Sequence, residues 1–343
     1  MPFFELATSN LLSPPILCFV LGACATFFRS DLKLPDQVFA ALSIFLMLSI
    51  GLQGGAKLAD RPLSELALPM AGALALGCAI PLWCYGILRR FAGLGIADAA
   101  ALAAHYGSVS AVTFAAVGQF LTRQQVPFEG YAPALLAIME VPAIVIAIGL
   151  AGVASMASRS VEVNAGGAAL IGSPPSMWST SALSPVLAEV LSSKSILLLA
   201  GGMVIGASVG TGGLTNIKPF FVDLFPGVLC LFLLDLGRVA ASHAGEFRKV
   251  GLRLAVFALA MPVVHAVIGI AVGSAVGVSY GGAVILGTLA ASASYIVAPA
   301  AVRLALPDAN PGYYLTCSLA ITFPFNIVAG IPLYSALARL IYG

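Results

Sequence analysis

Charge is what this sequence most lacks. Only 9% of its 343 residues are Asp, Glu, Lys or Arg, against 60% hydrophobic. A water-soluble globule draws roughly a quarter of its residues from those four types. A chain this poor in charge cannot clothe its surface against water, so that surface faces lipid. The three histidines and six cysteines show no metal-ligand spacing, and no acidic residue is placed to complete a Ser-His triad, which argues against an enzyme and leaves the cysteines as small core residues. The few basic residues are scattered rather than gathered into a stripe that could track phosphates, which excludes nucleic acid as a partner. Met1 to Asn10 carries Glu5 and no basic residue. The first apolar stretch therefore lacks the positive flank of a cleaved signal and reads as a permanent span. No TVGYG-like filter or ring-forming acidic repeat marks a channel.

What the sequence has is long apolar runs and a mean hydropathy of +1.04. A bilayer core takes about 20 apolar residues per helix. Windows bounded by charge or Pro/Gly clusters predict spans at 11–28, 36–54, 65–88, 97–121 and 131–153, then at 195–210, 219–237, 251–275, 281–304 and 312–338. Residues 154–194 are rich in Ser, Gly and Pro, as in Gly172-Ser173-Pro174-Pro175-Ser176, and break the pattern. The expected organisation is a first five-helix repeat over 1–153, a linker over 154–194 and a second repeat over 195–343.

With the N-terminus outside, the inner side holds eleven of the sixteen Lys and Arg residues, and the outer side holds Lys57, Arg61, Arg123, Lys218 and Arg339. The positive-inside rule then places both termini outside the plasma membrane and the linker in the cytoplasm.

The two halves resemble each other. Ser13, Ile16 and Gly22 recur as Ser193, Ile196 and Gly202, Ser108-Val109-Ser110 recurs as Ser292-Ala293-Ser294, and Tyr131 and Pro142 recur as Tyr313 and Pro324. Five spans per repeat invert the second copy. The expected fold class is thus an all-α integral membrane protein of about ten helices in two inverted repeats, an architecture of secondary transporters.

Polar, helix-breaking sequence at membrane depth is tolerated where it is buried or lines a cavity. His105 to Thr113 interrupts the fourth span and Ala291 to Pro299 the ninth, at matched positions. Pro299 cannot donate a backbone hydrogen bond and suits the start of a half-helix. Two half-helix N-termini aimed at one point would bind an anion without Arg or Lys. Gly107, Ser108, Ser110, Thr113, Ser292, Ser294 and Tyr295 are the candidate substrate residues. Glu140, well inside the fifth span, is the candidate cation ligand, joined by Ser110 and Ser294, because a carboxylate there costs about 2.5–3.5 kcal/mol unless something offsets it. Asp235 has Arg238 at i+3 and reads as a local ion pair. His105 and His265 read as packing histidines, with His105 close enough to the break to line it or carry a proton.

At these residues the chain resembles the sodium-dependent bicarbonate transporter family over nearly its whole length. The pieces are Ser13-Pro14, Gly51-Leu52-Gln53-Gly54-Gly55, Gly107 to Ala116, Met139-Glu140-Val141-Pro142, Pro262 with His265, and above all Ile296 to Pro332 with Pro299, Arg303, Pro307-Asp308-Ala309-Asn310-Pro311 and Pro324. The resemblance implies a ten-span sodium symporter whose substrate and sodium (at Glu140) lie between the interrupted fourth and ninth spans. It also implies a mobile core moving against an oligomeric scaffold, often a trimer, and a cytoplasmic PII-like partner. Tyr295 stands where the family pattern is acidic, Val112 where it has a serine, and Ser49 where it has a lysine. The expected function is sodium- or proton-coupled transport of a small anion, bicarbonate first. The alternatives are another small carboxylate as substrate, or a passive channel or facilitator.

Overall fold

The computed structural model describes residues 3–59, 62–166 and 180–343, and among these the chain is helical with no strand. The first half comprises α1 (Phe3–Leu11), α2 (Pro14–Phe27), α3 (Asp36–Leu58), α4 (Leu63–Ile87), α5 (Ile96–Gly107), α6 (Ala111–Arg123), α7 (Ala132–Glu140) and α8 (Pro142–Gly166). The second comprises α9 (Thr180–Leu191), α10 (Lys194–Gly213), α11 (Phe225–His243), α12 (Phe247–Ala275), α13 (Tyr280–Ala291), α14 (Val297–Ala305) and α15 (Pro311–Tyr342), the last interrupted by π-helical turns at Thr316–Thr322 and Asn326–Gly330.

Eight segments among the described residues are long and apolar enough to cross a membrane, and α1 with α2, bent by 62°, makes a ninth. The span expected at 281–304 is met by α13 and α14, too short singly, on either side of a break. This is a multi-pass, all-helical membrane protein.

Two features differ from the simple span list. A short helix, α1, precedes the first span, because Pro14 and Pro15 force a new helix start where their missing N–H groups are harmless. The stretch expected as linker is partly helical: α8 continues to Gly166 and α9 covers Thr180–Leu191, while Gly172 to Ser176 lie outside the described residues. The turn joining α9 to α10 copies the turn joining α1 to α2. Leu12 N–H to the Thr8 carbonyl, Ser13 to Asn10 and Leu17 to Ser13 recur as Ser192 to Ala188, Ser193 to Val190 and Leu197 to Ser193.

Packing obeys the same exchange of halves. α2 lies against α11 and α10 against α3, while α4, α5 and α8 pack together in one half and α12, α13 and α15 in the other. We call the bundle of α2, α3, α10 and α11 the scaffold, and the bundle built on α4, α5, α8, α12, α13 and α15 the core. Gly22 lets α2 approach α11 until a Cβ would overlap the Leu234 carbonyl, and Gly202 brings α10 to where a Cβ would lie 3.1 Å from the Gly51 Cα. Such crossings need the small residue because lipid supplies no hydrophobic drive to pull helices together. The interrupted span Ile96–Arg123 is 94% buried and α10 only 17%, so the former is the core's centre and the latter an outer face of the scaffold.

Candidate functional site

The two breaks cross inside the core. At the first, Gly107 ends α5, Ser108 is extended, and Ser110 caps α6 by accepting from the Thr113 N–H at 3.2 Å. At the second, Ala291 ends α13, Ser292 is extended, and the Ser294 hydroxyl accepts from the Ala298 N–H at 3.2 Å, with Pro299 in the first turn of α14. Each break holds the other. The Ser110 N–H donates to Ser292 Oγ at 3.0 Å, and the Ser294 N–H donates to the His105 carbonyl at 2.8 Å. Non-helical backbone so deep in a bundle requires partners of this kind.

Two half-helix N-termini, those of α6 and α14, therefore start beside one another, and the first N–H groups of each have no acceptor within their own helix. A small cavity opens there, lined by Val109, Ser110, Ala111, Glu140, Ser294, Tyr295, Ile296, Met47 of α3 and Ser195 of α10. It offers about 10 Å³, the threshold for one water. Glu140 ends α7 with 4% exposure, and no other carboxylate lines the cavity. The polar side chains that line the cavity with it, Ser110, Ser294, Tyr295 and Ser195, carry oxygen, the ligand type of a hard cation, with Met47 beside them.

Four sequence-selected residues thus come together: Ser110, Ser294, Tyr295 and Glu140. The Ser110 hydroxyl lies 3.3 Å from the Tyr295 hydroxyl, to which it donates. Others brace the site from outside the cavity. Ser292 accepts from Ser110 and donates to the Leu289 carbonyl at 2.8 Å, so its oxygen is committed on both sides. The Ser108 hydroxyl donates to the Glu140 carbonyl at 3.0 Å and fixes the end of α7. A Cβ on Gly107 would lie 2.7 Å from Ala143 Cβ and 2.8 Å from Pro81 Cδ, so this glycine is where α5 meets α8 and α4. Thr113 is buried and gives its N–H to the cap.

The histidines pack. His105 Nδ1 donates to the Ala101 carbonyl at 2.7 Å and its ring stacks on Tyr314 at 4.5 Å, away from the cavity. His265 Nε2 accepts from Trp83 Nε1 at 2.9 Å. Asp235 and Arg238 form the expected local pair, Oδ1 to Nε, at 2.8 Å.

Sequence reasoning missed Met47 and Ser195, scaffold residues whose approach to the core nothing local announces. It also missed Asn326, whose Nδ2 donates to the Ala291 carbonyl at 2.8 Å while its Oδ1 accepts from the Tyr334 hydroxyl at 2.6 Å. A lone amide in the apolar run Phe325-Asn326-Ile327 was a readable signal.

No curated protein matches this sequence. The family pattern of the Na+-dependent bicarbonate transporter superfamily matches residues 14–339. With its crossed helix breaks and multi-pass core, the chain belongs to the Na+-dependent bicarbonate transporter superfamily.

Proposed function

We propose that this transporter is a symporter that takes up a small monovalent anion, bicarbonate first, together with sodium. The observation that carries this reading is the shared cavity, where a buried carboxylate meets the N-termini of two half-helices. Those N-termini and the Ser110 and Ser294 hydroxyls supply positive dipole ends and short donors for an oxyanion. Glu140 opposes it. At about 4 Å and an effective dielectric of about 20, two like charges repel by about 4 kcal/mol. An anion therefore binds well only once a cation, held by Glu140 and neighbouring hydroxyl oxygens, cancels that charge, which makes each ligand a condition for the other. A passive facilitator has no use for this arrangement. Because the cavity lies between the core breaks and scaffold residues Met47 and Ser195, movement of core against scaffold would open it to one side at a time.

The Lys/Arg distribution supports a cytoplasmic 154–194 segment and outward termini. Lipid-facing α2 and α10 leave the scaffold free to associate as a homo-oligomer, a trimer by resemblance, and a PII-like protein on the cytoplasmic side fits the same resemblance.

The test is uptake of labelled bicarbonate and small carboxylates into proteoliposomes under a sodium gradient, a proton gradient, or neither. Bicarbonate uptake driven by sodium alone is expected. Equal rates without any gradient would show a facilitator, and dependence on protons would replace the coupling ion.

A further inference from the structure

Two of the helices that wall the cavity, α3 and α6, also wall a larger space. After Met47, which faces the cavity, α3 presents Ile50, Gln53, Gly54 and Lys57 to a groove of about 470 Å³. After Ala111, which faces the cavity, α6 presents Phe114, Ala115, Gly118 and Thr122 to the same groove. Steps of three and four residues keep to one face of a helix, so both faces run without interruption from the cavity to the end of the bundle. Asp223, in the turn that leads into α11, and Phe225 at its start close the third side, placing the groove on the seam between scaffold and core.

Ile50 and Phe114, each one turn beyond a cavity residue and 5% and 6% exposed, are the large side chains at the groove's inner end, with the small Ala115 beside them. Beyond them Gln53, Lys57, Gln119, Thr122 and Asp223 set polar groups among apolar residues such as Phe128, Val222 and Phe225. Gln53 is held by its amide donating to the Phe221 carbonyl at 3.2 Å, and Lys57 lies across the groove's rim with its stem over Gly130. Lys57 and Asp223 balance each other, so the groove favours neither sign strongly and leaves selection to the crossed breaks.

We infer that this groove is the outer entry vestibule for the transported anion, and that Ile50 and Phe114 are the gate between it and the buried cavity. What passes rests on the proposed transport reading. The path itself rests on the register of α3 and α6.

Cysteines placed at Thr122, in the vestibule, and at Ala111, beyond the gate, are read by an impermeant thiol reagent on intact cells, with modification measured by peptide mass. Thr122→Cys should react freely. Ala111→Cys should react about 10- to 1,000-fold more slowly, since the minor open state of such an equilibrium is populated at about 0.1–10%. Adding Phe114→Ala should raise that rate at least about tenfold by removing the bulk that favours the closed state, so that the open population grows. Ile50→Ala gives the same reading if the Phe114 variant does not fold. A Thr122→Cys protein that reacts only after permeabilisation puts the groove on the other face and overturns the inference. So does an Ala111→Cys protein that reacts as fast as Thr122→Cys with the gate intact, or one that stays slow in every folded gate variant. Labelling needs no substrate, so a protein that shows this pattern yet moves no bicarbonate keeps its vestibule and loses only the transport reading.

Discussion

Replacing Ser292 by alanine asks whether a hydroxyl at the crossing is a ligand or a brace. The Ser292 side chain is fully buried, accepts from the Ser110 N–H at 3.0 Å and donates to the Leu289 carbonyl at 2.8 Å. Alanine fits the space, and the Leu289 carbonyl keeps a second donor, the Ser292 N–H at 3.0 Å. The Ser110 N–H, in a residue 4% exposed, loses its acceptor. An orphaned buried donor costs about 1–3 kcal/mol, which at about 2–4 °C per kcal/mol corresponds to a fall in Tm on the order of 2–12 °C. Ser108→Ala is the internal comparison. It removes a donor from the Glu140 carbonyl and should cost only about 0.5–1.5 kcal/mol. Thermal unfolding of the purified protein in detergent, followed by intrinsic fluorescence, ranks the two. A Ser292→Ala variant that melts with the parent yet no longer binds bicarbonate would refute the brace and make the hydroxyl a direct ligand.

Glu140→Gln keeps the shape of the side chain without its charge, so the stabilisation of the parent by sodium in a melting assay should disappear; a persisting sodium shift would make Glu140 structural. Gly54→Val places a Cβ 2.5 Å from the Pro133 Cγ, on the seam between α3 and α7. Overpacking of this kind costs about 1–3 kcal/mol, and uptake should slow more than binding weakens; unchanged uptake would show that the seam does not slide. A cysteine at Ser176 should resist an impermeant thiol reagent outside intact cells, and ready labelling would reverse the proposed topology.

Much of this protein was legible in its sequence because a bilayer constrains a chain so severely. Backbone groups in lipid must be satisfied within the helix, so each apolar run became helical close to where hydropathy placed it: α3 begins at Asp36, and α13 at Tyr280. Local chemistry also fixed the helix breaks, through Ser110 as a cap, the Ser294 hydroxyl accepting from the Ala298 N–H, and Pro299 in a first turn. Tertiary structure decided which of those polar residues share a space. Ser108, Ser110, Ser292 and Ser294 look equivalent in sequence, yet the crossing turns Ser110 and Ser294 into the cavity while it spends Ser292 and Ser108 on backbone partners. Glu140 is separated from Tyr295 by most of the second repeat and meets it only because α7 ends at the crossing. The scaffold side of the site, Met47 and Ser195, depends on how two bundles lie against each other. That geometry is set by close contacts such as Gly54 on Pro133, which are long-range and leave no periodic trace in the chain.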